Sequence, residues 1–178
     1  MSDESGFRFR GINHLALTSS DMDRTIAFYR DVLGMPLTKT IDFPNGRGKH
    51  YFFDIGGGDS IAFFEFPKGP KPVDAKTLGR MAATPGMMHH VAFDVAPEDI
   101  DRYRYRYRYR LVEKGIEVTE VVNHDDTESG ASPELNATTS VRSIYFRDPD
   151  GFQLEFAAWS RPLTRDDVKA EYREGWRN

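Results

Sequence analysis

Two segments of the chain look like copies of one another, and each begins with a histidine. His14 opens an apolar, strand-like run within residues 11–17, and His90 opens a similar run within residues 87–93. Self-similarity of this kind is the mark of an internal duplication. It restricts the chain to folds built from two related modules.

Each copy also ends in an apolar strand that carries one glutamate. Glu65 lies within residues 61–66, and Glu155 lies within residues 152–156. A carboxylate buried without a partner costs several kcal/mol, so a cation is expected to neutralise it. Two glutamates in step with two histidines therefore suggest a divalent metal. The chain has no cysteine, so such a metal must be bound by nitrogen and oxygen.

Both halves of the chain are predicted to run strand, helix and then three strands, which gives an α+β fold. The first helix has N-cap candidates at Ser19–Asp21 and a stop at Gly34, and the second helix is expected from about Pro97 to Lys114, before Gly115. We predict a first βαβββ module at residues 11–66, a linker at 67–85, a second βαβββ module at 86–160 and a helical tail at 161–178.

The strands and connections follow from alternation and turn residues. Three glycines at 56–58 can join two strands as a hairpin, and Asp148–Gly151 matches a type I turn in a second hairpin. The predicted strands of the first module are residues 12–18, 37–43, 51–55 and 61–66. In the second module, strands are predicted at 88–95 and 116–122, followed by a loop at 123–140 and the closing hairpin.

Tyrosine and arginine alternate strictly over residues 103–110. The segment lies between the start and stop signals of the second helix, so we interpret it as helix, with Ile100, Tyr103, Tyr107 and Leu111 along one stripe. Basic residues interleaved with aromatic ones can bind single-stranded nucleic acid. On an acidic chain, a solvated helix face is the preferred interpretation.

The bulk composition excludes some classes of partner. The chain has 178 residues and a net charge of -4, which argues against general affinity for nucleic acid or anionic membrane. The N-terminus is acidic and polar, unlike a signal peptide, and no apolar run approaches the roughly 20 residues of a membrane span. We therefore expect a cytoplasmic protein with a small-molecule substrate.

Two longer motifs resemble the vicinal oxygen chelate superfamily of glyoxalases, bleomycin resistance proteins and extradiol dioxygenases. The opening motif contains His14, residues 21–24 and residues 27–35. The closing motif is Asp148-Pro149-Asp150-Gly151-Phe152-Gln153-Leu154-Glu155. The similarity extends over nearly everything from Gly11 to Trp159.

The resemblance implies a cup-shaped mixed sheet, formed by both modules, around one divalent metal (Zn, Ni, Co, Mn or Fe(II)). By position, the implied ligands are His14, Glu65, His90 and Glu155. His89 neighbours His90 and should face the other way, so the register of the following strand decides between them. Sites of this type are often shared across a two-fold axis, so a homodimer is also expected.

Two enzymatic mechanisms fit this ligand set. In a glyoxalase I-like isomerase all four groups bind the metal, and Glu155, or else Glu65, moves the proton of an enediolate. In an extradiol dioxygenase, His14, His90 and Glu155 bind Fe(II), and Tyr145 resembles an active-site tyrosine. Asn136 stands where such enzymes have a histidine, for which His124 or His50 could substitute.

The isomerase is the preferred prediction because Glu65 has no role in the dioxygenase. A metal-free binding protein of the bleomycin-sequestering kind is the third hypothesis. It predicts loss of the metal positions, which are intact in this chain.

Overall fold

The computed structural model describes residues 9–69, 71–168 and 170–172, without the side chains of residues 101, 103–108 and 170. The chain divides into two compact units, Met1–Ala75 and Lys76–Asn178. Each unit contains one mixed sheet with helices, so the α+β class predicted from the sequence is confirmed. None of the helices in the described ranges is long and apolar enough to cross a membrane.

The first unit follows the predicted plan of one strand, one helix and three strands. Its strands are β1 (His14–Ser19), β2 (Leu37–Asp42), β3 (Lys49–Gly56) and β4 (Asp59–Glu65). They lie in the order β1-β4-β3-β2. β1 pairs in parallel with β4, and the other neighbours are antiparallel. The predicted hairpin joins β3 to β4, and the glycines at 56–58 all have positive φ.

One helix covers one face of this sheet and forms the core of the unit. α1 (Met22–Ile26) begins at Asp21, whose carboxylate accepts the backbone N–H of Arg24 at 3.0 Å, and it continues as a π-helical segment over Ala27–Val32. Its Tyr29 is fully buried, with ring centroids 4.7 Å from Phe63 and 5.8 Å from Phe53. Alternation therefore sends Phe53 and Phe63 toward the helix.

The second unit repeats the plan with a small addition. Its strands are β5 (Val91–Asp94), β6 (Val122–His124), β7 (Ala131–Ser132), β8 (Val141–Arg147) and β9 (Gln153–Trp159). They lie in the order β5-β9-β8-β6-β7, with β5 parallel to β9. The side chains packed in the core of this unit include Ile144, Phe146, Leu154 and Phe156.

The turn predicted before β9 is present. The N–H of Gly151 donates to the carbonyl of Asp148 at 2.9 Å, and the Asp148 carboxylate accepts the N–H groups of Asp150 and Phe152. A turn stabilised in this way fixes the register of β8 against β9. That register positions the candidate site described below.

Two segments differ from the sequence prediction. Residues 75–82 of the predicted linker form a helix, α2 (Ala75–Ala82). The strand predicted at 116–122 is reduced to one bridge, Val118 to Phe146, and to the first residue of β6, which continues into the predicted loop. In the described part of the tail, 3-10 turns form at Arg165–Asp167 and Ala170–Tyr172.

The Tyr-Arg repeat is helical, as predicted. It lies in α3 (Ile100–Glu113), which follows a 3-10 turn at Pro97–Asp99. Ile100 and Leu111 are buried at the two ends of the expected stripe, whereas the side chains of Tyr103 and Tyr107 lie outside the described residues.

A tyrosine on β3 holds the last glutamate of β4. The Tyr51 hydroxyl donates to Oε2 of Glu65 at 2.7 Å. Burial is the main cause that raises the pKa of Tyr51 to about 12, and the Glu65 hydrogen bond and charge reinforce it. Tyrosine in an unfolded chain has a pKa of about 10. The folded state therefore retains this proton over a pH range in which the unfolded chain loses it.

We expect this tyrosine to make the stability of the protein sensitive to alkaline pH. Stability linked to Tyr51 is fully present below about pH 10 and is lost as the pH rises toward about 12. In urea unfolding across this range, the native sequence should lose more stability than Tyr51→Phe. Tyr172→Phe, which changes an exposed tyrosine, is the control. Parallel curves for the native protein and Tyr51→Phe would contradict the expectation.

Candidate metal centre

A histidine and a buried glutamate meet in the second unit. His90 directly precedes β5, and Glu155 lies in the middle of β9. Because Ala92 pairs with Glu155 in the parallel ladder, the glutamate lies two residues beyond the level of His90 and on the same face. His90 Nε2 is 3.0 Å from Glu155 Oε2. The predicted pair is thus brought together.

Glu155 is buried and firmly held. It is 5% exposed, and its Oε1 accepts a hydrogen bond from the Ser143 hydroxyl at 2.5 Å. Ser143 lies on β8, on the same face of the sheet as Glu155 and Tyr145. These three residues, together with His90, define what we call the site face of the second unit.

The choice between His89 and His90 is settled in favour of His90 as the partner of Glu155. His89 is exposed, and its Nδ1 lies 2.7 Å from Nδ1 of His90. One of these two nitrogens must donate the shared proton. His89 therefore contacts the edge of His90 remote from the glutamate and fixes the orientation of that ring.

The chemistry of this pair fits a divalent cation. When His90 donates its Nδ1 proton to His89, its Nε2 carries a lone pair that faces the Glu155 carboxylate. Two acceptors at 3.0 Å repel each other unless a proton or a cation lies beside them. Two atoms bound at right angles to a metal at about 2.1 Å are themselves about 3.0 Å apart. The observed spacing therefore suits either a hydrogen bond or two metal ligands.

His14, in the first unit, is held by a neighbouring side chain. Its Nδ1 lies 2.8 Å from the side-chain oxygen of Asn13, which can only accept a hydrogen bond. The Nδ1 proton is thereby fixed, and Nε2 keeps its lone pair. A histidine that binds a metal through Nε2 commonly has its other nitrogen held in this way.

Glu65 occupies a different place from Glu155. In the β1–β4 ladder His14 pairs with Ser60, Ala16 with Ala62, and Ser19 with Glu65. The position that corresponds to Glu155 in the second unit is therefore Ala62. Glu65 lies about 16 Å farther along the strand than the level of His14.

Alternation also separates Glu65 from His14. Because Ser19 and His14 are five residues apart, Glu65 points to the opposite face of the sheet, where its carboxylate accepts the Tyr51 hydrogen bond. The structure therefore brings His90 and Glu155 together and does not bring His14 and Glu65 together.

A tyrosine and a histidine on the site face form a second pair. Tyr145 is directly opposite Glu155 on β8, and its hydroxyl lies 3.0 Å from Nε2 of His124 on β6. Burial is the main cause that raises the pKa of Tyr145, and the charge of Glu155 adds to the rise. The phenol is therefore a proton donor at neutral pH. His124 could not be placed from the sequence because it falls in the loop predicted at 123–140, whereas the structure has it in β6.

The first unit contains an aromatic cluster beside His14. His50 stacks on Phe64 with ring centroids 3.9 Å apart and lies 4.2 Å from Phe52, while His14 lies 5.6 Å from Phe52 and 6.2 Å from His50. We call His50, Phe52 and Phe64 the aromatic wall. By register all three share a face with His14.

His50 is the unusual member of this wall. It is 8% exposed, and its Nε2 has no hydrogen-bond partner among the described residues. An unpartnered buried polar atom costs about 1–3 kcal/mol. Burial, followed by the nearby His14, lowers the pKa of His50, which favours its neutral form. The sequence prediction left His50 just outside the strand predicted at 51–55, so its place on the sheet was missed.

The predicted four-ligand set is not assembled as one cluster within the described part of the chain. No group of three or more histidine, aspartate or glutamate side chains that could hold a metal ion is found there. The predicted site residues are thus arranged as a His90–Glu155 pair with Tyr145 beside it, as His14 alone with a fixed tautomer, and as Glu65 on another face.

Comparisons with known proteins agree with this architecture. Metallothiol transferase FosB of Shouchella clausii is 28% identical over 145 residues, which cover 82% of this chain and 77% of the relative. Lactoylglutathione lyase of Haemophilus influenzae is 30% identical over 145 residues, which cover 82% of this chain and 90% of the relative.

Solved structures share the fold. A glyoxylase/bleomycin resistance protein/dioxygenase domain from Frankia sp. EAN1pec has a TM-score of 0.62 at 21% identity, covering 88% of this chain and 96% of that one. The fosfomycin resistance protein FosX from Listeria monocytogenes has a TM-score of 0.55 at 21% identity, covering 86% of this chain and 96% of that one.

The family match spans both units and includes His14, His90 and Glu155. It extends over residues 11–156, from the start of the first module to the end of the closing motif. The chain therefore belongs to the Glyoxalase/Bleomycin resistance protein/Dioxygenase superfamily.

Proposed function

We propose that the protein is a metal-dependent enzyme acting on a small substrate with two adjacent oxygens. His14, His90 and Glu155 are its proposed ligands to one divalent metal. The pairing of buried Glu155 with His90 at 3.0 Å is the observation that carries the proposal. His14 completes the set by its position in the family motif and by its free Nε2.

Glu65 is left out of this ligand set. It faces away from His14, and its carboxylate is engaged by Tyr51. Two histidines and one carboxylate form the arrangement found in Fe(II) oxygenases, although Zn, Ni, Co or Mn also suits these donors. When bound, the metal would supply a Lewis acid with open positions for the substrate oxygens.

Tyr145 is the proposed proton-transfer residue. Its hydroxyl is on the same face as Glu155, is protonated at neutral pH and contacts His124. The phenol can donate a proton to a substrate oxygen, and His124 can hold the hydroxyl in position and exchange a proton with it. Ser143 holds Glu155 through the carboxylate oxygen not paired with His90.

Of the two reactions considered from sequence, ring cleavage of a catechol-type substrate fits this arrangement better. The isomerase was preferred because it gives Glu65 a role as a metal ligand. The register of β4 turns Glu65 away from His14, so this reason no longer holds. The Tyr145–His124 pair supplies the tyrosine and histidine that the dioxygenase hypothesis requires.

Isomerisation through an enediolate is the second candidate. A specific observation favours it: the 30% identity to lactoylglutathione lyase of Haemophilus influenzae over 82% of this chain. In that reaction Glu155 would act as the base, because Glu65 lies on the face of the first sheet opposite to His14.

We also propose that the protein is a homodimer in solution, because two-fold assemblies are the commonest oligomers and can share a site between chains. Multi-angle light scattering at micromolar concentration should give the mass of two chains, about twice 20.4 kDa. A single-chain mass in the metal-loaded protein would contradict the dimer and leave the ligand assignment unaffected.

The two glutamates provide a matched test of the ligand set. We expect Glu155→Gln to weaken metal binding more than about tenfold, because it removes an anionic ligand. Glu65→Gln, the same change on the other face, should bind metal as the native protein does. Calorimetric titration of metal-free protein with Zn²⁺ and with Mn²⁺ measures both. Equal losses in the two variants would restore Glu65 to the ligand set.

Two tyrosines provide a matched test of the proton-transfer role. Tyr145→Phe should lower turnover about a hundredfold or more, with unchanged metal content, because it removes the donated proton. Tyr51→Phe removes a hydroxyl that also contacts a glutamate but lies on the face away from His14, so its turnover should be native.

Activity is followed as oxygen consumption with catechols and as product formation from methylglyoxal with glutathione. Turnover of the second substrate alone would select the isomerase. Activity on neither substrate, with metal bound, would contradict both reactions.

A further inference from the structure

We infer that the substrate contains a flat aromatic system that packs on the aromatic wall, with His50 as the hydrogen-bond partner of a polar group on it. The inference rests on the proposed function, because the wall is next to His14, a proposed ligand. It names the class of substrate that this site accepts.

The first observation is the composition of the face around His14. Phe52 and Phe64 are partly exposed on the same side of the sheet as His14, and Phe64 is flanked by Phe66 at 5.9 Å and Phe43 at 5.8 Å. The core side chains Phe53 and Phe63 point the other way. This half of the site therefore presents ring faces, which pack well with other rings.

The second observation is the unpartnered nitrogen of His50. Packing a polar imidazole between Phe52 and Phe64 with Nε2 unsatisfied is unfavourable in the free protein. Buried polar atoms are normally paired, so an exception calls for a functional reason. A ligand hydroxyl or carbonyl supplies the missing partner if one of the two neighbouring phenylalanine rings turns as it binds. Both rings are partly exposed.

The two observations together specify the ligand. Stacking on phenylalanine faces selects a flat unsaturated ring over a saturated one of the same size. The imidazole selects a ring with a hydrogen-bonding substituent over one without it. Because the wall touches His14, such a ring and a pair of metal-bound oxygens can belong to one substrate.

The test uses the full chain freed of metal, so that it does not depend on turnover. Isothermal titration with 2-naphthol, and with trans-2-decalol as its saturated counterpart, should show clear preference for the aromatic compound. Phe64→Leu should weaken 2-naphthol binding about two- to tenfold, the range that an aromatic pair supplies. Tyr172→Leu, an exposed aromatic residue of the other unit, should leave it unchanged.

A second comparison isolates His50. The native protein should bind 2-naphthol more tightly than naphthalene, which has no hydrogen-bonding substituent. His50→Phe keeps a ring of similar size and removes the nitrogen, so this preference should disappear. Circular dichroism establishes that each variant is folded, and Phe52→Leu replaces Phe64→Leu if the latter fails to fold.

Several results would overturn the inference. These are no binding of 2-naphthol to the native protein, equal affinity for the decalol, or native affinity in the folded wall variants. Conversion of a dimer to a monomer by Phe64→Leu, with 2-naphthol affinity unchanged, would show that the wall is an interface between chains. Aromatic binding without catechol or methylglyoxal turnover would sustain the wall and reject the proposed reactions.

Discussion

A carboxylate buried in an apolar strand is the constraint around which the second unit is organised. Glu155 has core residues as its neighbours in β9, so its charge must be balanced within the fold. The serine and histidine that contact it, Ser143 and His90, come from the two strands or strand ends beside it. The same β8–β9 register places Tyr145 opposite it. The proposed ligand Glu155, the serine that holds it and the proposed proton donor Tyr145 thus depend on a single strand alignment.

The two units share a strand arrangement but carry different side chains near their histidines. In the second unit, the residue two positions after the histidine, Ala92, pairs with Glu155. In the first unit, the corresponding residue, Ala16, pairs with Ala62. The first unit instead surrounds its histidine with aromatic side chains. The two halves thus keep the parallel pairing of their first and last strands and differ in the side chains placed around the histidine.

Sequence patterns correctly predicted the strand-helix-strand plan of each unit, the helix cap at Asp21 and the closing turn. The set of four candidate ligands stays a prediction. Alternation also selected His90 over His89, since it depends only on counting within one strand, and His90 is the one that contacts Glu155. Glu65 was aligned with Glu155 because their segments look alike, but strand register is a non-local property, and it displaces Glu65 by three residues from Ala62. His124 could not be related to Tyr145 because β6 has only three residues and His124 lies in the loop predicted at 123–140. α2 was missed because prolines surround it and none of its residues is buried.

The central claim is that three residues, and not four, hold one metal. A crystal structure of the protein loaded with Mn²⁺ or Zn²⁺ tests it most directly. The account predicts His14 Nε2, His90 Nε2 and a Glu155 oxygen at about 2.0–2.3 Å from one ion, with Glu65 still bonded to Tyr51. An ion bound by Glu65, or one bound without His14, would contradict it.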